Sequence, residues 1–153
     1  MLATRSATLY EVRPFCPSDY LRVADLDGRY GPELEQTATS FAMSGSARTL
    51  CLYGQPLACA GILIQWSGLG FAWAIVSALA RQHPRALHGG VKLGLREMIE
   101  EHHLRRVEAV VLAHFWVGRR WLQALGFEEE SLMPRYGPLG EDFIRVVLFP
   151  GGG

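Results

Sequence analysis

Val107–Phe127, with the sequence VEAVVLAHFWVGRRWLQALGF, carries the most informative pattern in the chain. Its first part, Val107–Leu112, is a short apolar run rich in β-branched residues, which is typical of a buried strand. Gly118–Leu125 then places apolar side chains on one face of a short helix. Gly126 can end that helix in a left-handed conformation without a Cβ penalty, and Phe127 can pack back onto the last turn. The segment therefore predicts a strand followed by a glycine-terminated helix.

The rest of the chain also divides into strand and helix patterns. Pro84 opens the helical stretch that precedes the segment above, and its amphipathic core is Val91–His103. Ser18 and Asp19 are candidates for the N-cap of the first helix. The predicted strands are Leu9–Phe15, Arg48–Tyr53, Leu57–Trp66, Phe71–Leu79, Phe127–Tyr136 and Phe143–Phe149, and the other predicted helices are Tyr20–Leu26 and Pro32–Met43. The predicted order is β-α-α-β-β-β-α-β-α-β-β.

Length and composition indicate one globular domain. The chain has 153 residues, of which 49% are hydrophobic and 20% charged, as is ordinary for a protein with a single core. We expect residues 1–150 to form this domain and Gly151–Gly153 to be a disordered tail. Fifteen basic residues balance fifteen acidic ones, so the sequence lacks the positive charge of a duplex-DNA binder.

The cysteine pattern and the apolar stretches favour a cytoplasmic protein. Cys16, Cys51 and Cys59 form no Cys-x-x-Cys pair, which favours buried reduced thiols over a disulfide framework or a zinc site. Residues 1–14 lack the apolar centre of a signal peptide. The apolar stretch Leu57–Leu79 is interrupted by glycines, which fits two strands better than a membrane span. We expect no bound metal, nucleic acid or membrane.

The helix-Gly-Phe ending after a strand, and the order of elements over nearly the whole chain, resemble the GNAT acyltransferases. The run VRPF before a Ser-Asp helix start resembles the opening of that family. The resemblance implies an α/β fold of the α+β kind, with a mixed central sheet of six to seven strands and about four helices. It also implies transfer of an acetyl group from acetyl-CoA to a primary amine, such as a protein lysine or N-terminus, and it leaves a homodimer open. The run RRWLQALGF is similar to short GNAT-like proteins encoded by bacteriophages, which would place the protein in the host cytoplasm.

The resemblance implies where coenzyme A would bind. In the family its pyrophosphate rests on main-chain amides at the start of the helix after the fourth strand, with the signature Arg/Gln-x-x-Gly-x-Gly/Ala. Bare N–H groups and the positive end of a helix dipole favour a phosphate there. The main chain of the fourth strand would contact the pantetheine arm. The predicted cofactor residues are Val76, Ser77, Arg85, His88, Gly89, Gly90 and Val91.

Two registers fit this cofactor signature. We favour the loop Arg85–Val91, in which His88 takes the first glycine position and Gly90 the last. In the other register, Pro84–Leu87 starts the helix and supplies the amides. A further interpretation of the glycines is that they allow close packing in a poor helix.

The expected catalytic groups depart from the family pattern Asn-x-x-Ala-x-x-Leu-Tyr-x-x-x-Gly-Phe. When the pattern is aligned on the Gly-Phe pair, Phe115 takes the place of Asn and Leu122 that of Tyr. In the family this Tyr protonates the leaving thiolate, which a leucine cannot do. His114 is the first candidate to replace it, because the pKa of imidazole suits proton transfer, and Tyr136 is the second.

Because the family's Asn and Tyr are replaced here, three hypotheses for function remain open. No carboxylate lies between Gly68 and Leu79 to act as a general base on the fourth strand. The first hypothesis is an N-acetyltransferase that works mainly by positioning the amine. The second is a GNAT-fold protein with weak or no activity that binds a host or virion protein. The third is an acyl-CoA sensor.

Overall fold

The computed structural model describes residues 10–29, 31–43 and 45–152. These residues contain seven strands and four α-helices in the predicted order, with short 3-10 turns at Ala80–Gln82 and Pro150–Gly152. The elements are β1 Tyr10–Pro14, α1 Pro17–Leu26, α2 Pro32–Met43, β2 Gly45–Leu52, β3 Gln55–Trp66, β4 Leu69–Val76, α3 Pro84–Glu101, β5 Arg106–Leu112, α4 Trp116–Ala124, β6 Glu128–Met133 and β7 Phe143–Leu148. The type and order of these elements are as predicted, and most of their ends differ from the prediction by a few residues.

The strands form a mixed sheet of seven strands in the order β1-β2-β3-β4-β5-β7-β6. Strand β1 is antiparallel to β2, β2 to β3, and β7 to both β5 and β6, whereas β4 and β5 are parallel. The parallel ladder pairs Leu69–Phe71 only with Arg106–Glu108, although β4 continues to Val76 and β5 to Leu112. The mixed sheet and the four helices confirm the predicted fold class.

The chain divides into two compact units, Met1–Leu63 with Trp73–Met98 and Ile64–Ala72 with Ile99–Gly153. We predicted a single domain over residues 1–150. The segment that we predicted to be a disordered tail contains part of the 3-10 turn, and Gly153 lies outside the described residues. The predicted start of the first strand, Leu9, also lies outside them.

The first unit has a core formed by α1 and the strands beneath it. Val23 and Ala24 are fully buried there, together with Cys59 and Ile75. Half-buried side chains, most of them aromatic, pack against this cluster, namely Phe15, Tyr20, Leu34 and Trp73. The apolar residues of α1, β3 and β4 thus form one core in this unit.

A buried carboxylate joins α1 to the strands of this unit. Asp19 is 1% exposed and accepts hydrogen bonds from Arg13 at 2.7 and 2.8 Å and from the Thr49 hydroxyl at 2.8 Å. It also accepts the N–H of Cys16 at 3.1 Å. The helix N-cap is therefore Cys16, and the prediction of Ser18 or Asp19 as the N-cap is wrong, because Asp19 reaches back to the cap from the first turn. Burial raises the pKa of Asp19, but the hydrogen bonds outweigh it and lower the pKa to about 2.

The three cysteines are free thiols, and only two of them are buried. Cys51 and Cys59 are buried as predicted, whereas Cys16 is exposed at the start of α1. Burial raises the pKa of Cys59 to about 12, despite a hydrogen bond with the Thr49 hydroxyl. The buried thiols are therefore neutral packing groups.

The second unit contains the predicted helix end. Gly126 has a φ of 107°, and its N–H donates to the carbonyl of Gln123 at 3.0 Å. The N–H of Phe127 donates to the carbonyl of Leu122 at 3.0 Å, and the Phe127 ring is buried. These two bonds are those of a Schellman motif, so the sequence prediction of a left-handed glycine at Gly126 is confirmed.

Candidate functional site

Helix α3 begins at Pro84 and runs without a break to Glu101. The prediction that Arg85–Val91 forms a loop is therefore wrong, and the helix follows the earlier of the two registers. Within a continuous helix, the N–H groups of Gly89, Gly90 and Val91 donate to carbonyls four residues earlier. They are not free to bind a pyrophosphate.

The glycines of α3 have a packing role in the first unit. A Cβ on Gly90 would lie 3.3 Å from Cγ2 of Val12 and 3.6 Å from Cδ1 of Leu50, and one on Gly94 would lie 3.3 Å from Cγ of Arg48. Gly89, in contrast, faces open space. Gly90 and Gly94 thus let the helix approach the sheet closely, and this contact offsets a helix-propensity cost of about 1 kcal/mol per glycine.

The first turn of α3 offers main-chain donors. Pro84 has no N–H, and the N–H of Leu87 donates to the carbonyl of His83 at 2.9 Å. The N–H groups of Arg85 and Ala86 occupy positions where a helix has no carbonyl partner of its own. This first turn carries no acidic residue, and the Arg85 side chain is exposed. The positive end of an 18-residue helix is therefore open to an anion.

The segment between β4 and α3 is held by a buried serine. The Ser77 hydroxyl donates to the carbonyl of Leu57 at 2.7 Å and accepts the N–H of Ala80 at 3.1 Å. The Ser77 N–H donates to the same Leu57 carbonyl at 3.2 Å. The carbonyl of Ser77 in turn accepts the N–H of Arg81. Ser77 therefore fixes the turn. We predicted that its main-chain groups contact a pantetheine arm, but its N–H and its carbonyl both have partners within the chain. Val76, half-buried at the end of β4, remains a predicted contact.

The residue before α3 is also anchored. The Tyr10 hydroxyl and Nδ1 of His83 lie 2.8 Å apart, and their rings meet edge to face. Since His83 directly precedes Pro84, this contact fixes where the helix starts. His88, predicted to lie in the cofactor loop, is half-buried one turn further along the helix.

Arg81 is a candidate that the sequence analysis did not include, whereas Ala86 belongs to its second register, Pro84–Leu87. The run Arg81-Gln82-His83-Pro84-Arg85-Ala86 has the spacing Arg-x-x-Gly-x-Ala of the cofactor signature, with Pro84 in the glycine place. Pro84 already supports this register in the sequence, because proline is preferred at the first helical position.

His114 lies in the second unit, in the turn between β5 and α4. Its side chain is exposed, and its carbonyl accepts the N–H of Trp116 at 3.0 Å. Arg119 holds this turn, donating to the carbonyl of Ala113 at 2.7 Å and to both carboxylate oxygens of Glu129 at 2.7 Å. Its guanidinium also lies 4.0 Å from the centre of the Trp116 ring. Arg119 thus holds the turn that carries His114, through contacts that the sequence did not reveal.

Tyr136 follows β6 in the same unit. It is half-exposed and packs edge to face against Phe143, with ring centroids 5.4 Å apart. Its side chain lines a cleft of about 590 Å³ that His114 does not line. The two candidate proton donors therefore do not share this cleft.

Over residues 10–29, 31–43 and 45–152, no group of three or more His, Cys, Asp or Glu residues could hold a metal ion. In the same residues, no helix has the length and apolar character needed to cross a membrane.

Comparison with known proteins gives structural matches at low sequence identity. No protein-family model and no curated protein matches the chain. A ribosomal-protein-S5-alanine acetyltransferase from Vibrio fischeri superposes with a TM-score of 0.76 at 14% identity, over 94% of each chain. A spermidine N-acetyltransferase variant from Vibrio cholerae gives 0.73 at 12% identity, over 93% of this chain and 94% of that one. A GNAT-family acetyltransferase from Streptococcus pneumoniae gives 0.67 at 19% identity, over 93% of this chain and 99% of that one. The chain therefore has the fold of the GNAT acetyltransferases.

Proposed function

We propose that the protein is an N-acetyltransferase that moves the acetyl group of acetyl-CoA to a primary amine. The observation that carries this proposal is the start of α3. There, the main-chain N–H groups of Arg85 and Ala86 lie at the positive end of an 18-residue helix with no acidic residue in its first turn, and Arg81 precedes that helix by three residues.

Coenzyme A would bind through its pyrophosphate at this helix start. The N–H groups of Arg85 and Ala86 would donate to the phosphate oxygens, and the exposed guanidinium groups of Arg81 and Arg85 would pair with their charge. The main chain of Val76 would contact the pantetheine arm. Gly89, Gly90 and Val91 have no direct part in this binding, because their N–H groups belong to the helix.

The acceptor that we propose is a primary amine, such as a protein N-terminus or lysine. Two of the superposed enzymes are named for acting on a ribosomal-protein alanine and on spermidine, both of which provide amines. When bound, acetyl-CoA supplies a thioester whose C–S bond breaks as the amine nitrogen bonds to the carbonyl carbon. In this exchange the thiolate takes up one proton and the amine gives one up.

Water and two side chains would move these protons. Strand β4 has no titratable side chain, so water is the proposed base for the amine. His114 and Tyr136 are the proposed donors to the thiolate, since Leu122 stands in the place of the usual tyrosine. Catalysis would then depend chiefly on positioning the amine and on main-chain hydrogen bonds to the carbonyl oxygen.

Calorimetric titration with desulfo-CoA tests the cofactor part of the proposal. We expect Arg85→Gln to weaken binding by about tenfold or more, because a hydrogen bond between charged groups is lost. Arg96→Gln is the matched control, since it removes the same charge from an exposed position further along α3. Equal affinities for the two variants would move the phosphate site away from this helix start.

Release of free thiol from acetyl-CoA, measured with a panel of amines, tests the activity. We expect release that depends on both the protein and the amine. Binding without amine-dependent release would leave an acyl-CoA sensor. If desulfo-CoA at millimolar concentration does not bind, only a GNAT-fold protein that acts through a protein partner would remain.

A further inference from the structure

A second candidate site lies within the second unit and uses none of the proposed cofactor residues. It is the cleft of about 590 Å³ that Tyr136 lines, and its volume is within the usual range for small-molecule sites. Its walls combine guanidinium groups, aromatic rings and one carboxylate. The lining residues are Gln65, Trp66, Gly68, Leu69, Phe71, Arg105, Arg106, Glu108, Tyr136 and Arg145.

The carboxylate of Glu108 fixes two of the arginines. One of its oxygens accepts Nε of Arg106 at 2.8 Å, and the other accepts Nη1 of Arg145 at 2.8 Å. Arg106 also donates to both oxygens of Glu130, at 2.7 and 2.9 Å. Arg106 thus donates hydrogen bonds to two carboxylates, whereas Arg145 donates to a single oxygen of Glu108.

The sheet holds these groups on a single face. Glu108 lies opposite Val147 on β7, and Arg145 is two residues from Val147, within reach of Glu108 on the diagonal. Val107 and Ala109 alternate with the charged residues of β5 and are buried on the opposite face. Because Glu108 and Arg145 both lie on strands of the sheet, their side chains are already positioned. Binding a ligand would therefore cost little side-chain entropy.

The third arginine is held by the turn before β4. The N–H groups of Arg105 and Arg106 donate to the carbonyl of Gly68 at 2.9 and 3.2 Å. The Arg105 guanidinium donates to the carbonyl of Ser67 at 3.2 Å and lies where a Cβ on Gly68 would be. Gly68 has a φ of 90°, so glycine is suited to this position in both space and conformation.

The cleft has a net positive charge and unused hydrogen-bond donors that could bind an anion. Three of its lining residues are positive and one is negative, and Glu130 beside it still leaves a net positive charge. A guanidinium has five N–H donors. Among the hydrogen bonds of the described residues, the side chains of Arg105 and Arg145 each use one. Their remaining donors suit the two oxygens of a carboxylate or phosphate.

Aromatic side chains flank this charge. Trp66 is 63% exposed and Tyr136 is 50% exposed, and Phe71 contributes a third ring to the lining. Large exposed aromatic rings beside a cleft can stack on a flat ligand, and they do so at a small cost in side-chain entropy.

We propose that this cleft binds a small organic anion in which an aromatic ring carries a carboxylate or a phosphate. The acid group lies against the free donors of Arg145 and Arg105, and the ring lies between the aromatic side chains. None of the residues proposed to hold coenzyme A lines this cleft, although Tyr136, a proposed proton donor, does.

Calorimetric titration with phenyl phosphate and with benzoate tests the proposal, and inorganic phosphate and phenol are the matched single-group probes. We expect phenyl phosphate or benzoate to bind more tightly than either single-group probe. We expect Arg145→Gln to weaken this binding by about tenfold, as for one lost charged hydrogen bond. Arg120→Gln, which removes the same charge from an exposed residue of α4 outside the cleft, is expected to leave it unchanged.

The fold of each variant is checked by its far-UV spectrum and melting temperature. Arg145→Gln is expected to stay folded, because Glu108 keeps its bond to Arg106. A folded Arg145→Gln protein that binds phenyl phosphate and benzoate as tightly as the wild type would overturn the proposal. It would also be overturned if neither compound binds at millimolar concentration. Competition with desulfo-CoA gives a third criterion, since displacement of the aryl acid by the cofactor would assign the cleft to coenzyme A instead.

Discussion

The ring of Phe115 lies against the main chain of Gly118, where a Cβ would come within 2.5 Å of Cδ2 of the ring. In the GNAT helix pattern these two positions are Asn and Ala. The aromatic ring fits in its observed place because Gly118 has no side chain. Phe115 in the place of the usual Asn therefore requires a residue without a side chain at position 118, in the first turn of α4.

This contact predicts that the two residues are energetically coupled. Gly118→Ala alone should gain helix propensity but force the Phe115 ring outwards, with little net change in the free energy of unfolding. In a Phe115→Ala background the clash is absent, and the same change should stabilise the protein by about 0.5–1 kcal/mol. A double-mutant cycle measured by urea unfolding gives the coupling energy. Strictly additive effects would show that the ring does not occupy this space.

Asp19 predicts a loss of stability in acid. Its pKa of about 2 in the folded protein is below that of a free aspartate, so the stabilisation is complete above the unfolded pKa of about 4. It is lost as the pH falls from about 4 through 2, and it amounts to something on the order of 2 kcal/mol. Urea unfolding as a function of pH should show this loss in the wild type and not in Asp19→Asn. Asp25→Asn, which changes an exposed carboxylate of the same helix, should behave like the wild type.

Gly89 and Gly90 are neighbours that should respond differently to the same substitution. Gly90→Glu would bring a charge against Val12 and Leu50, and we expect it to destabilise the fold by several kcal/mol. Gly89→Glu points into open space and should leave the melting temperature equal or higher, because glycine is a poor helix former. Thermal unfolding of both variants makes the comparison. A Gly90→Glu protein as stable as the wild type would argue against the close packing of α3.

The sequence predicted the fold more fully than the site. The apolar run of β5 and the glycine after α4 are local signals, and Gly126 took the predicted conformation. Pro84 was predicted to open α3 and does so, but we favoured the later glycines for the cofactor loop, although packing against Val12 and Leu50 makes glycine favourable inside that helix. The hydrogen bond from Thr49 to Asp19 and the pairing of Arg145 with Glu108 join residues far apart in the chain, so no local pattern indicates them.

The proton donor should contribute modestly to any acetyl transfer. A coenzyme A thiol resembles free cysteine, whose pKa is about 8.5, and such a thiolate leaves readily without an acid. We expect His114→Ala or Tyr136→Phe to lower turnover by about 10²-fold at most, and Leu122→Tyr to raise it. Turnover at saturating acetyl-CoA is the measurement, and Tyr53→Phe, at an exposed tyrosine, is the control. If neither loss slows turnover and Leu122→Tyr does not raise it, the proton comes from solvent or from the acceptor.

The central claim, that coenzyme A binds at the start of α3, is tested most directly by amide chemical shifts. A titration of ¹⁵N-labelled protein with desulfo-CoA follows the N–H groups one by one, and those of Arg85 and Ala86 are the proposed phosphate donors. We expect their signals to shift most and to saturate together with the calorimetric binding curve. Saturable binding that leaves both signals in place, with the largest shifts at residues outside 76–87, would contradict the account.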